Sequence, residues 1–134
     1  MPGAWNHRWD GDVLIITTSG RFTYDEQARC AADTARNVNG KSSRFGIVAN
    51  LIDYPPQPPE NDPATKPATE AIGRASAEGR LVGTAMVTKQ AATKMQMDRF
   101  GRENGTSQQS VGFADVDSAL ASIRAKLGAG VSRR

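Results

Sequence analysis

The chain is predicted to fold as an α/β domain, with a mixed, mostly parallel sheet, an N-terminal β-hairpin and about four helices, in the order ββαβαβαβα. Three observations lead there. Apolar runs at 13–18 (VLIITT), 44–51 (RFGIVANL) and 81–87 (LVGTAMV) have the length of strands and are rich in β-branched residues. Between them lie stretches whose apolar residues recur every three or four positions, the spacing of helices laid against a sheet. Asp10-Gly11, just ahead of the first run, is a short-range hairpin signal and adds one antiparallel strand at the start.

Taken in order, Ala4–Trp9 is expected to pair with Val13–Thr18 through a type I′ turn at Asp10-Gly11. Thr23-Tyr24-Asp25-Glu26 forms a capping box, in which the Thr hydroxyl accepts from the fourth residue's amide and the Glu returns to the cap's own N–H. The helix it opens carries Tyr24, Ala28, Ala31, Ala35 and Val38 on one face, and Asn39-Gly40 supplies a left-handed stop. Strand Arg44–Asp53 follows, so a single helix joins two apolar strands as in a parallel βαβ unit. Tyr54–Pro67 holds six of the seven prolines and is expected to cross the surface as neither helix nor inner strand.

Beyond it, Ala68–Glu78 reads as a short Ala-rich helix weakened by Gly73, and Arg80–Val87 as a buried strand. Thr88 is expected to cap a third helix through Arg102, with Met95 and Phe100 facing inward and Asn104-Gly105 ending it. Ser110–Phe113 is a short strand. Asp115 caps a last helix with the stripe Val116, Leu120, Ile123 and Leu127, stopped at Gly128. One domain spans 1–134, with 129–134 as a frayed tail.

Composition narrows the function. Hydrophobic residues are 38% and aromatics 6%, so the core rests on Ala, Val, Leu, Ile and Met. The net charge of +3 includes the terminal Arg133 and Arg134, and no helix gathers Lys and Arg into a stripe, which argues against nucleic acid. Cys30 and His7 are the only residues of their kinds, so neither an intrachain disulfide nor a zinc site built from His and Cys is available. No secretory leader and no apolar run of about 18 residues is visible; the expectation is a cytoplasmic protein without an integral membrane segment.

Gly40-Lys41-Ser42-Ser43 is no phosphate loop, since it runs from helix into strand and has Ala35 where the motif needs Gly. His7 is expected to be solvated on an edge strand, and Cys30 to be a small packing residue. No nucleophile–base pair, metal cluster or cofactor fingerprint is found, so neither an enzyme nor a cofactor is expected.

Asp53 is the acid that stands out, because it ends an apolar strand, where ligand sites collect in open α/β sheets. The candidate docking surface is therefore the Asp53–Pro59 edge, with Tyr54 and Pro55, together with Thr88 and Lys89 at the next strand's end. A second reading is a small apolar ligand or lipid held between helices and sheet by Ala68, Ala71, Ala75, Met86, Met95 and Met97.

Several landmarks carry a family resemblance. They are Trp9-Asp10-Gly11-Asp12-Val13-Leu14, the Ser19-Gly20-Arg21-Phe22-Thr23 corner, strand Phe45–Asp53 ending in an acid, strand Leu81–Val87, and Phe113-Ala114-Asp115-Val116-Asp117-Ser118-Ala119-Leu120. In this order the chain resembles the STAS domains, and more closely their SpoIIAA-like branch, over about Trp5 to Leu127. The resemblance implies a STAS/SpoIIAA-like fold and a non-catalytic role in protein interaction or regulation, with a homodimer compatible. STAS anti-sigma-factor antagonists carry a phosphorylatable Ser after the matching strand. The matching stretch here, Asp53-Tyr54-Pro55-Pro56-Gln57-Pro58, has none, and no Ser or Thr occurs until Thr65.

Overall fold

Gly11 makes the first corner. In the computed structural model, which describes residues 3–90, 92–96, 99 and 110–132, strands β1 (Ala4–Asp10) and β2 (Val13–Ser19) pair antiparallel with Asp10 opposite Val13. The two loop residues are thus Gly11 and Asp12. Gly11 alone takes a positive φ, of 60°, which is the type II′ pattern rather than the predicted I′.

β2, β3 (Phe45–Asp53), β4 (Leu81–Val87) and β5 (Ser110–Phe113) run parallel to one another, giving a five-stranded sheet in sequential order β1-β2-β3-β4-β5. Helices α1 (Tyr24–Asn39) and α2 (Lys66–Ala77) cover one face, and α4 (Val116–Ser132) covers the other. A helical segment described over residues 92–96 is α3. The predicted element order and mixed sheet are the ones found.

Residues of β2 alternate between the two layers. Val13 and Ile15 join Val48, Ala85 and Val87 beneath Ala119, Leu120 and Ile123 of α4. Leu14 and Ile16 join Phe45, Ile47 and Leu81 beneath Val38 of α1 and Ala71 and Ala75 of α2. Both faces being covered, β2 and β3 read as continuous apolar runs, which is what made them legible. At Gly46 the contact with α4 is close enough that a Cβ would lie 2.1 Å from Ile123 Cγ2. Helix α4 also passes through Gly128 to Ser132, correcting the expected stop at Gly128. An interior glycine costs a helix only about 1 kcal/mol, so it need not end one.

The capping box of α1 is present: Thr23 Oγ1 accepts from the Glu26 amide (3.1 Å), and Glu26 Oε1 accepts from the Thr23 amide (2.8 Å). At the other end Gly40 is right-handed, φ −79°, so the left-handed stop is corrected; its N–H donates to Arg36 O and the next turn closes on Val38 O. The predicted inward face is also turned. Gln27, Cys30, Ala31, Thr34 and Val38 are buried, whereas Tyr24 is 52% exposed.

That rotation has a polar cause. Trp5 Nε1 donates to Asp33 Oδ2 (2.8 Å), and Trp9 Nε1 donates to Asn37 Oδ1 (3.1 Å). Between them His7 Nε2 lies 2.7 Å from Thr34 Oγ1, so His7 is half-buried against α1 rather than solvated. Thr34 spends its own proton on Cys30 O (3.0 Å), so its oxygen accepts from His7, which places the neutral ring's proton on Nε2. Edge strand β1 is thereby joined to α1 by a row of side-chain hydrogen bonds.

The expected inward Phe100, the end at Arg102 and the Asn104-Gly105 stop lie outside the described residues, as does Met97. Among the described residues no helix is long and apolar enough to cross a membrane.

Replacing Thr23 by Ala should lower the unfolding free energy by about 1 kcal/mol, read as a fall in the urea midpoint. Desolvation by burial holds the His7 pKa below 6.5, against the opposing pull of Asp33 and with a smaller push from Arg36. The folded protein thus binds this proton less readily than the unfolded chain. Stability attributable to His7 is fully present above pH 6.5 and falls as the pH drops below it. His7→Gln should flatten this acid-side loss in urea titrations across that range; an unchanged slope would assign the loss to other groups.

Candidate functional site

The carboxyl end of β3 is closed by an aromatic cluster. Tyr54 stands edge-on to Phe22, with centroids 5.5 Å apart, and Phe22 in turn packs on Trp5 at 5.7 Å. Leu51, Cys30 and Met86 complete the cluster. Tyr54 is 4% exposed: its hydroxyl accepts from Gln27 Nε2 (3.2 Å) and its carbonyl from Thr93 Oγ1 (3.0 Å). The residue expected on a docking edge is therefore inside, because its ring fills the space under the proline segment. Burial pushes the Tyr54 phenol and the Cys30 thiol each up to about 12, away from their reactive ionised forms.

The proline segment does not simply cross the surface. It continues from Tyr54 into a 3₁₀ segment, Pro59–Thr65, which leads directly into α2, and Gln57, Asn61 and Ala64 are buried. Prolines cannot donate to a neighbouring strand, so side-chain amides do that work. Gln57 Oε1 accepts from the Phe22 amide (2.7 Å), and its Nε2 donates to the carbonyls of Gly20 (3.1 Å) and Pro55 (2.8 Å). Asn61 Nδ2 donates to Phe22 O (2.9 Å). The Gln57 main chain faces α3: its N–H donates to Gln96 Oε1 (3.1 Å) and its carbonyl accepts from Gln96 Nε2 (3.2 Å).

Between this segment and α3 lies an open groove of about 730 Å³, walled by Pro56, Pro58 and Pro59 on one side and by Ala92, Met95, Gln96 and Arg99 on the other, with Arg21 and Glu60 on its rim. Met95, expected to face inward, is 71% exposed; Thr93 takes the inward position instead and is fully buried. Arg99 pairs with Asp62 at 3.2 Å.

The other expected site residues fall around the same end of the sheet. Asp53 is exposed, its carbonyl accepting from the Gly20 amide (3.0 Å). Pro55 is half-buried and Lys89 exposed. Thr88 Oγ1 accepts from the Gln90 amide (3.2 Å), two residues on, so it shapes the turn into α3 rather than bonding the helix's third amide. Ala71 and Ala75 are 1% and 0% exposed against the core, and Met86 belongs to the aromatic cluster. Ala71 and Ala75 thus pack into the core while Met95 is exposed, and the small residues let α2 lie close on its neighbours. Sequence reasoning missed Arg21 and Gln96, and it included Gln57 only as part of the Asp53–Pro59 edge, although a glutamine between two proline pairs was the visible signal for its special role.

Among the described residues no group of three or more His, Cys, Asp or Glu could hold a metal ion. The groove offers guanidinium groups, one carboxylate, carbonyls and apolar walls, an arrangement suited to holding a chain. Gln57→Leu would leave the Phe22 N–H and the Gly20 and Pro55 carbonyls without this partner. It should cost about 2–3 kcal/mol in urea unfolding; a loss below about 0.5 kcal/mol, the usual scale of a neutral surface change, would contradict the clamp.

No family model matches the sequence, and no curated protein matches it. Several solved structures share its fold, and two of them are these. One is the crystal structure of an anti-sigma factor antagonist from Mycobacterium paratuberculosis, 15% identical, TM-score 0.58, covering 91% of this chain and 94% of that one. The other is an uncharacterized protein of the DUF3478 family with a SpoIIAA-like fold from Shewanella loihica PV-4, 11% identical, TM-score 0.60, covering 90% and 93%. The STAS/SpoIIAA-like fold implied by the sequence resemblance is thus the fold observed.

Proposed function

We propose that this chain is a non-catalytic STAS-like regulatory module that docks a protein partner on the face built by the proline segment and α3. The observation that carries this reading is the exposed Met95 side chain beside an open, proline-walled groove. A flexible thioether adapts to the shape of an occupant, and proline surfaces bury apolar area at little cost in ordering the backbone. The withdrawn Cys30 and Tyr54 favour binding over reaction, and a structural neighbour being an anti-sigma factor antagonist favours a regulatory role.

Regulation here works without the usual phosphorylatable Ser. Residues 53–64 hold no hydroxyl other than that of Tyr54, and Thr65 donates its own to Asp62 O (2.7 Å). The apolar-ligand reading finds less support, because the alanines of α2 are packed against the core.

The test is affinity capture from the native host's lysate, using wild type and a Met95→Asp/Lys89→Glu variant as baits. Both residues are exposed, so the variant should keep the wild-type circular dichroism spectrum and melting curve while losing specific partners. Identical partner sets would overturn the docking face.

A further inference from the structure

Resting on that reading, we propose that Met95 is a site of reversible oxidation, and that converting its thioether to the sulfoxide switches the docking face off. The fold holds this sulfur in the open. Thr93 is fully buried with its hydroxyl on Tyr54 O (3.0 Å), and Gln96 is bonded to both main-chain groups of Gln57 (3.1 and 3.2 Å). Those two anchors set the rotation of α3 about its axis. Met95 stands about 200° round the helix from Thr93, so it is turned away from the core and lies exposed at the groove.

The other soft groups are withdrawn. Met86 is buried within the aromatic cluster. Cys30, the only cysteine, is buried too, and that burial pushes its thiol up to about 12, so the thiolate an oxidant would attack is scarce. An oxidant that reaches the native protein therefore meets the Met95 sulfur before Met86 or Cys30.

With hydrogen peroxide the sulfur lone pair takes one peroxide oxygen and the O–O bond breaks. The second oxygen leaves as water after a proton transfer, and the two electrons lost by sulfur reduce the peroxide. A dithiol reductase returns the thioether, forming water and a disulfide on the reductase. The sulfoxide is a polar acceptor at the point where the face offers its flexible apolar side chain. Covering it with a partner removes the hydrogen bonds its oxygen makes with water, a cost the thioether does not carry.

The probe is dilute hydrogen peroxide on the native full chain, with timed samples divided between peptide mass spectrometry, thermal melts and affinity capture from lysate. Fragment-ion sequencing separates Met95 from Met97, which share one tryptic peptide. Met95 should oxidise at least about tenfold faster than Met86, at an unchanged melting temperature. Recovery of the partners that Met95→Asp loses should fall about fivefold or more in step with the Met95 sulfoxide fraction. It should return after treatment with methionine sulfoxide reductases for both sulfoxide epimers. Equal oxidation of Met86, earlier oxidation of Cys30, a loss of recovery that follows another methionine, or a loss that reduction does not reverse would each overturn the inference. The docking reading is tested separately. A Met95→Asp bait that keeps the full partner set removes the docking face and the switch with it. Partners lost on Met95→Asp but kept by the fully oxidised protein leave the face standing and remove the switch alone.

Discussion

The corner at the end of β3 depends on one buried amide. Between Tyr54 and Glu60 the main chain has a single N–H, that of Gln57, because the other four residues are prolines. Such a stretch cannot dock by a strand ladder or a helix. It docks because the Gln57 side chain folds inward to Phe22, Gly20 and Pro55 while its main chain turns outward to Gln96. Those bonds tie together the β2–α1 corner, the proline segment and α3. Tyr54 gains its cover from them, and the groove gains a fixed wall.

The two faces of the sheet are held by different chemistry. Against α4 the centre of the contact is apolar, from Val13 and Ile15 to Ile123, and close enough to require Gly46, with Arg124 paired to Asp10 at the edge. Against α1 the sheet is covered by Leu14, Ile16 and Val38 at its centre, but its edge strand is attached through Trp5, His7 and Trp9 bonded to Asp33, Thr34 and Asn37. Burial without hydrogen bonds would be costly for indole and imidazole N–H groups, so these pairs also fix where β1 sits along the helix.

How much was legible follows the same division. Apolar periodicity revealed the inner strands, and local chemistry revealed the Thr23–Glu26 cap, the hairpin and the Asp115 cap, because each signal lies within a few residues. The inward face of α1 was misjudged because counting apolar residues favours Ala28 and Ala35, whereas Gln27 and Thr34 are buried through partners on Tyr54 and His7, each 27 residues away. The same blindness placed Met95 inside and passed over Thr93, whose hydroxyl partner is 39 residues distant. At the candidate site the strand end at Asp53 was readable, but the groove was not. It exists only because Gln57 and Gln96, 39 residues apart, meet.

This geometry also explains why the site reads as a surface for recognition. In open parallel sheets a ligand usually sits against the carboxyl ends of the strands, where the loops diverge. Here that position is filled by the protein's own Tyr54 ring, with Thr93 and Gln27 satisfying its polar atoms. The space left lies one layer further out, between the prolines and α3, where it is open to solvent and lined by groups that bind without reacting. With Tyr54 plugging the strand ends, the groove described between the prolines and α3 is a shallow outer surface, which is the kind of site the docking proposal needs.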